Sequence, residues 1–152
     1  MIVTTLTLAE ITKDNVEDAC DIAVAKRQRR FVDSVAESLA EAYVQPEVAW
    51  PRLILDDGEP VGFVMAGFDP AAKADFLRCW LWRLNIAAGK QGRGYGRFGV
   101  HAALDEARRR EQKTMSVCWV PGKGGPEEFY LRLGFRKTGQ LHEKEVVATI
   151  TL

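Results

Sequence analysis

Residues Gln91-Gly92-Arg93-Gly94-Tyr95-Gly96 put three glycines and an arginine into six positions, directly ahead of a stretch rich in helix formers. Glycine lets backbone N–H groups approach an anion with no Cβ in the way. A helix starting there adds its free N–H groups and the positive end of its dipole. The run is therefore a candidate cradle for phosphate, and for a diphosphate first. Two familiar phosphate patterns fit it poorly. A Walker loop needs lysine and then Ser or Thr after its last glycine, yet Tyr95 follows Gly94. Gly94-Tyr95-Gly96-Arg97-Phe98-Gly99 matches GxGxxG to the letter. The acid that would hold a ribose about 20 residues on should then fall at Ser116 to Trp119, where none stands.

Elements must position this run. The order β, two helices, three strands, helix, strand, helix, two strands predicts a mixed α/β layer around one sheet. Val3 to Leu8 alternates with threonine as a first strand. Asp14 with Glu17, and Ser34 with Glu37, mark two helix starts. Behind the second, Val35, Leu39, Ala42 and Tyr43 are expected to share one face. Arg52 to Asp56 and Pro60 to Phe68 form a hairpin around Asp57-Gly58. Phe76 to Ile86 is expected as one central strand. A helix follows the glycine run and ends near Arg108-Arg109-Arg110, and Met115 to Val120 is the next strand. Pro126 opens a short helix that Gly134 closes. Phe135 to Gly139 and Glu145 to Leu152 complete the sheet.

The chain of 152 residues is 47% hydrophobic and 28% charged, which fits one globular domain over residues 1–152. Basic and acidic residues balance at 21 each, which argues against a nucleic-acid partner. No apolar run is long enough to cross a bilayer, and no secretory signal is expected. Cys20, Cys79 and Cys118 are odd in number and widely spaced, as in a reduced, cytoplasmic protein. His101 and His142 stand far apart without ligand spacing, so no metal site is expected.

The whole glycine run, Gln91-Gly92-Arg93-Gly94-Tyr95-Gly96, resembles the acetyl-CoA signature of the GNAT N-acetyltransferase superfamily. Phe129-Tyr130-Leu131-Arg132-Leu133-Gly134-Phe135 resembles the same family's FYxxxGF block, one helix and one strand further on. Gln28, Phe31 and Val32, Ser38-Leu39-Ala40-Glu41-Ala42-Tyr43, Val61-Gly62-Phe63-Val64-Met65, Leu81-Trp82-Arg83 and Glu145-Val146-Val147 resemble bacterial diamine and spermine/spermidine acetyltransferases. The resemblance implies a seven-stranded fold with four helices, in which strands four and five splay apart. It implies acetyl-CoA as cosubstrate, a small-molecule amine as acceptor, and a homodimer.

It also implies roles. Gln91 to Gly96 would hold the diphosphate through main-chain amides, with Arg93 adding charge or standing solvated. Asn85, Ile86 and Ala87 on the fourth strand would pair with the pantetheine arm, and a backbone N–H near Ile86 or Ala87 would meet the acyl oxygen. Tyr130 would protonate the leaving thiolate; packing beside Phe129 is the alternative. Glu37 and Glu41, one helical turn apart, and Glu145 are candidates to bind a cationic acceptor, or else a solvated stripe. Trp50, Trp80, Trp82 and Trp119 would form an acceptor wall or the core. Ala87 replaces an aspartate common in the polyamine enzymes, Lys123 an asparagine that helps hold the cosubstrate arm, and Pro126 an alanine. The alternatives are another acceptor (an antibiotic amine, an amino acid, a protein N-terminus) or a non-catalytic acyl-CoA-binding module.

Overall fold

The computed structural model describes residues 5–152, so Val3 and Thr4 of the expected first strand lie outside it. Among the described residues there are seven strands and four α-helices. In chain order they are β1 (Leu6–Glu10), α1 (Val16–Cys20), α2 (Val35–Val44), β2 (Ala49–Asp56), β3 (Glu59–Phe68), β4 (Cys79–Ile86), α3 (Tyr95–Arg109), β5 (Thr114–Trp119), α4 (Glu127–Arg132), β6 (Arg136–His142) and β7 (Glu145–Thr151). The sheet order is β1-β2-β3-β4-β5-β7-β6. Every neighbouring pair is antiparallel except β4 and β5.

β3 explains the two-layered packing. It is buried along nearly its whole length, as a strand covered on both faces must be. Phe63 and Met65 pack with Ala19 of α1, Val35 and Ala42 of α2 and Leu53 of β2. Val64, Ala66 and Phe68 face the other way and pack with Val100, Ala103, Leu104 and Ala107 of α3. Full burial of such side chains contributes about 1.5–3 kcal/mol each, which fixes α3 across one face and α1 with α2 across the other.

Several local signals act as their chemistry dictates. At the tip of the β2–β3 hairpin, Asp57 and Gly58 have φ of 49° and 84°, the doubly positive geometry of a type I′ turn. Ser34 caps α2, its hydroxyl accepting from the Glu37 N–H at 3.1 Å. Beyond α4, the Phe135 N–H donates to Tyr130 O at 3.2 Å and the Gly134 N–H to Leu131 O at 3.1 Å. These are the two bonds of a Schellman motif. It requires the left-handed Gly134, whose φ is 106°.

Other expectations need correction. Tyr43 is 85% exposed; Ser38 takes its place on the buried face and satisfies its hydroxyl on Ser34 O at 2.9 Å. The central strand begins only at Cys79, because Asp75–Leu77 coils into a 3₁₀ turn. α1 starts after Asn15 rather than Asp14, and Asn15 folds back to bind Thr12 N–H and Glu10 O.

Candidate active site

The site grows from an irregularity in β4. Met65 of β3 pairs with Arg83, and Ala66 pairs with Leu81, so Trp82 is an extra residue, a β-bulge. A bulge bends its strand and sharpens the local twist. On the other side, β4 pairs with β5 only at Trp80–Ser116 and Leu81–Val117. Beyond the bulge the two strands run apart and leave a gap.

The register fixes which amides face that gap. The Ala87 N–H donates to Val61 O at 3.0 Å. Antiparallel pairs alternate between bonded and non-bonded, so Asn85 and Ala87 spend their main-chain groups on β3. Leu84 and Ile86 turn theirs toward the open side. Of the two expected acyl-oxygen donors, the register therefore favours Ile86. The Asn85 side chain also turns away, its amide donating to Asp33 O at 2.9 Å.

The cradle lies at the wide end of the gap. Gly92 and Gly94 have φ of 76° and 85°, where an L side chain costs about 1–2 kcal/mol. Gly94 caps α3, and no side-chain group satisfies the cap. The first main-chain bond of α3 runs from the Phe98 N–H to Gly94 O at 3.0 Å. The amides of Tyr95, Gly96 and Arg97 thus precede the helical ladder and remain available to an anion. At Gly96 a Cβ would come 3.2 Å from Phe129 Cζ; glycine lets α3 meet α4. The Tyr95 hydroxyl donates to the Asp56 carboxylate. That bond, with burial, holds the phenol above its ordinary pKa. Gln91 donates to the Gln28 side-chain oxygen.

Tyr130 is 7% exposed. Its ring stacks on Trp119 at 5.6 Å and meets Phe129 and Phe135 edge-on at 5.1 and 5.7 Å. Burial pushes the phenol pKa upward, so it is protonated at neutral pH. Among the described residues no group hydrogen-bonds its hydroxyl.

One cavity of about 400 Å³ joins these parts. Ile86, Gln91, Gly92, Gly94, Tyr95, Gly96 and Tyr130 all line it. Asn85, Ala87, Arg93, Glu37, Glu41 and Glu145 stand outside its wall. A segment before α2 roofs it through Gln28, Phe31 and Val32. The Arg30 guanidinium clamps that roof to Lys123 O at 2.9 Å, while Phe31 sits against Gly122 and Gly125.

At the bulge, Arg83 also lines the cavity. Its Nη2 lies 2.7 Å from Asp33 Oδ2 and 3.1 Å from Glu41 Oε2. Glu37, one turn earlier, is exposed and apart from this cluster. Burial raises the Glu145 pKa, and the charges of His142 and Arg83 pull against it. Cys118 is pushed up to about 12 by burial and then by the charge of Glu145, and Glu145 adjoins Val146, the strand partner of Trp119. The Asp33–Arg83 pair and the Asp56–Tyr95 bond were not expected from the sequence. No local pattern flags partners 50 and 39 residues apart.

The sequence profile of the acetyltransferase (GNAT) family matches residues 13–135, and the chain belongs to that family. It is an N-acetyltransferase with acetyl-CoA as cosubstrate. No curated protein matches the sequence. Among solved structures, a domain from Methanocaldococcus jannaschii aligns at TM-score 0.76 and 17% identity over 99% of this chain and 100% of the other. An acetyltransferase from Salmonella typhimurium that modifies the N-terminal serine of ribosomal protein L7/L12 aligns at 0.75 and 15%, covering 97% and 95%. A GNAT acetyltransferase from Elizabethkingia anophelis with acetyl-CoA bound aligns at 0.63 and 15%, covering 98% of each chain. At these identities the likeness is one of fold.

The chain's residues fit the cosubstrate. The uncapped amides at Tyr95 to Arg97 suit a diphosphate, and the gap-facing amides of β4 suit an amide-bearing arm.

Proposed function

We propose that the protein acetylates a primary amine of a cationic small molecule, with a diamine or polyamine as the first expectation. The observation that carries this reading is the group of carboxylates, Asp33 and Glu41 held on Arg83 with Glu145 in electrostatic reach, set outside the cavity wall behind Arg83 at its bulge end. Three carboxylates outnumber one guanidinium there, so the end favours a cation. The apolar neighbours Trp82 and Phe31 in the same wall suit an alkyl chain between two nitrogens.

Acetyl-CoA supplies an acyl group activated as a thioester. In this reading the amides at the start of α3 hold its diphosphate, and the Ile86 N–H stabilises the negative charge that builds on the acyl oxygen. The Tyr130 hydroxyl, protonated and without a hydrogen-bond partner among the described residues, delivers a proton to the departing sulfur. An alkylamine with pKa near 10.4 is mostly charged at neutral pH, so it must lose a proton before attack. Glu145 stands outside the cavity wall, so it suits that step only through water; burial makes its carboxylate more basic than usual.

The test is an acceptor panel read by release of free thiol: spermidine, spermine, putrescine, aminoglycosides, amino acids and peptides. Spermidine or putrescine should give the highest kcat/KM. Glu41→Gln should raise the KM for that amine several-fold with little change for acetyl-CoA. Glu145→Gln should shift the acid limb of the kcat/KM profile. A peptide or an aminoglycoside far ahead of the polyamines would overturn the acceptor and leave the chemistry standing.

A further inference from the structure

Between the last two glycines of the cradle stands a tyrosine whose anchor lies 39 residues away. Tyr95 opens α3 and is 6% exposed. Its hydroxyl donates to Asp56 Oδ2. Asp56 is the last residue of β2, in register with Leu6 of β1 and Glu59 of β3. The next residue, Asp57, gives its N–H to Thr5 O at 2.9 Å. The carboxylate therefore stands on a corner of the sheet that is tied on both sides.

β2 and α3 meet there in step. Ile54 is fully buried under α3, where a Cβ on Gly99 would come 2.9 Å from its Cδ1. Two residues onward along a strand return to the same face, about 6.8 Å away. Four residues back along a helix return to the same stripe, about 6 Å away. Those residues are Asp56 and Tyr95, so this pair continues the row that Ile54 and Gly99 begin. A hydrophobic contact at the end of the row would bury area without direction, whereas a hydrogen bond fixes the place of one oxygen. The carboxylate also puts a negative charge one tyrosine side chain from amides that face an anion, and charge alone would oppose binding there. Geometry accounts for it. Gly94 has no side-chain cap, and a Cβ on Gly92 or Gly94 would meet nothing within 4 Å. The approach to α3 thus brings no side-chain restraint of its own.

We propose, on the reading that the amides at the start of α3 hold the diphosphate, that Asp56 is a positioning residue for the cosubstrate. Through the Tyr95 hydroxyl it fixes the first turn of α3 against β2, and so the aim of the Tyr95, Gly96 and Arg97 N–H groups.

Calorimetry with acetyl-CoA tests this. Tyr95→Phe keeps the ring in the core and removes the donor; Asp56→Ala removes the acceptor. Each should weaken acetyl-CoA about three- to tenfold, the scale of one hydrogen bond. The double variant should bind no more weakly than the weaker single variant, because both changes delete the same bond. Asp56→Asn keeps an acceptor and loses the charge, so it should bind within twofold of wild type. In steady-state assays of Asp56→Ala, KM for acetyl-CoA should rise by more than kcat falls. A bond that served stability alone would lower the thermal midpoint and leave affinity untouched, as Ser34→Ala should. Wild-type affinity in both Tyr95→Phe and Asp56→Ala overturns the proposal. Tighter binding by Asp56→Ala, or an equal loss in Asp56→Asn, overturns it too. If Asp56→Ala does not fold, Tyr95→Phe decides alone. Gly94→Ala tells the two readings apart. Normal acetyl-CoA affinity in that variant refutes the diphosphate site itself. Weakened affinity there, with none lost in the Asp56 and Tyr95 variants, refutes only the positioning role.

Discussion

Replacing Tyr130 by phenylalanine removes one oxygen from a position where the rest of the side chain is held on three sides. Trp119, Phe129 and Phe135 lie 5.1–5.7 Å from its ring centre, and each contact survives the change. The Schellman bonds that end α4 use the Tyr130 carbonyl and are untouched. No described residue loses a hydrogen-bond partner, so stability should be unchanged or slightly higher. Tyr130→Ala would instead open a cavity costing about 3–5 kcal/mol and confuse folding with chemistry. General acid catalysis contributes about 10²–10⁴-fold, or about 2.7–5.4 kcal/mol of barrier at 1.36 kcal/mol per decade. At saturating acetyl-CoA and amine, kcat for Tyr130→Phe should fall at least a hundredfold, while calorimetry gives wild-type affinity for acetyl-CoA. The raised phenol pKa adds a second signature: wild-type kcat should show no loss from Tyr130 ionisation up to pH 10. Thiol release within threefold of wild type, in a folded variant with normal acetyl-CoA affinity, would refute the assignment.

Three further outcomes follow from single features. Gly94→Ala forces a Cβ into a residue with φ of 85°; nothing crowds the added atom, so the cost is backbone strain of about 1–2 kcal/mol. Its midpoint should drop, and its acetyl-CoA affinity should weaken by more than in Ser34→Ala. Ser34→Ala removes the cap of α2 at about 1 kcal/mol, lowering the midpoint by about 2–4 °C for a chain of this size. Cys79 and Cys118 are each raised from 9.0 to about 12, first by burial. A raised folded pKa means the native state holds its protons more tightly than the unfolded chain. The stability these thiols contribute is therefore complete below about pH 9 and lost as pH climbs toward 12. Urea midpoints should be flat through the neutral range and fall across that alkaline window; a rise there would contradict the buried-thiol picture.

The glycine cradle, the Ser34 cap, the Asp57-Gly58 turn and the Gly134 stop could each be read from the sequence. In each, the deciding energies act between residues a few positions apart, and side-chain type alone favours one backbone geometry. The order of strands and helices was legible for the same reason, since periodicity reports which face will be buried. Tyr43 misled because it fits the helical period of α2, and only the packed layer shows that the buried face extends to Ser38 instead.

Composition and local pattern thus determined that there is a glycine-rich turn at a helix start, a phenol on the following short helix, and a mixed sheet to carry both. Tertiary structure decided the rest. It placed an extra residue at Trp82 and so opened β4 from β5. It clamped Arg30 to Lys123 across 93 positions and set Asp33 on Arg83 across 50. Those choices are made by which faces must leave water together, and a chain read in one dimension carries no measure of that distance.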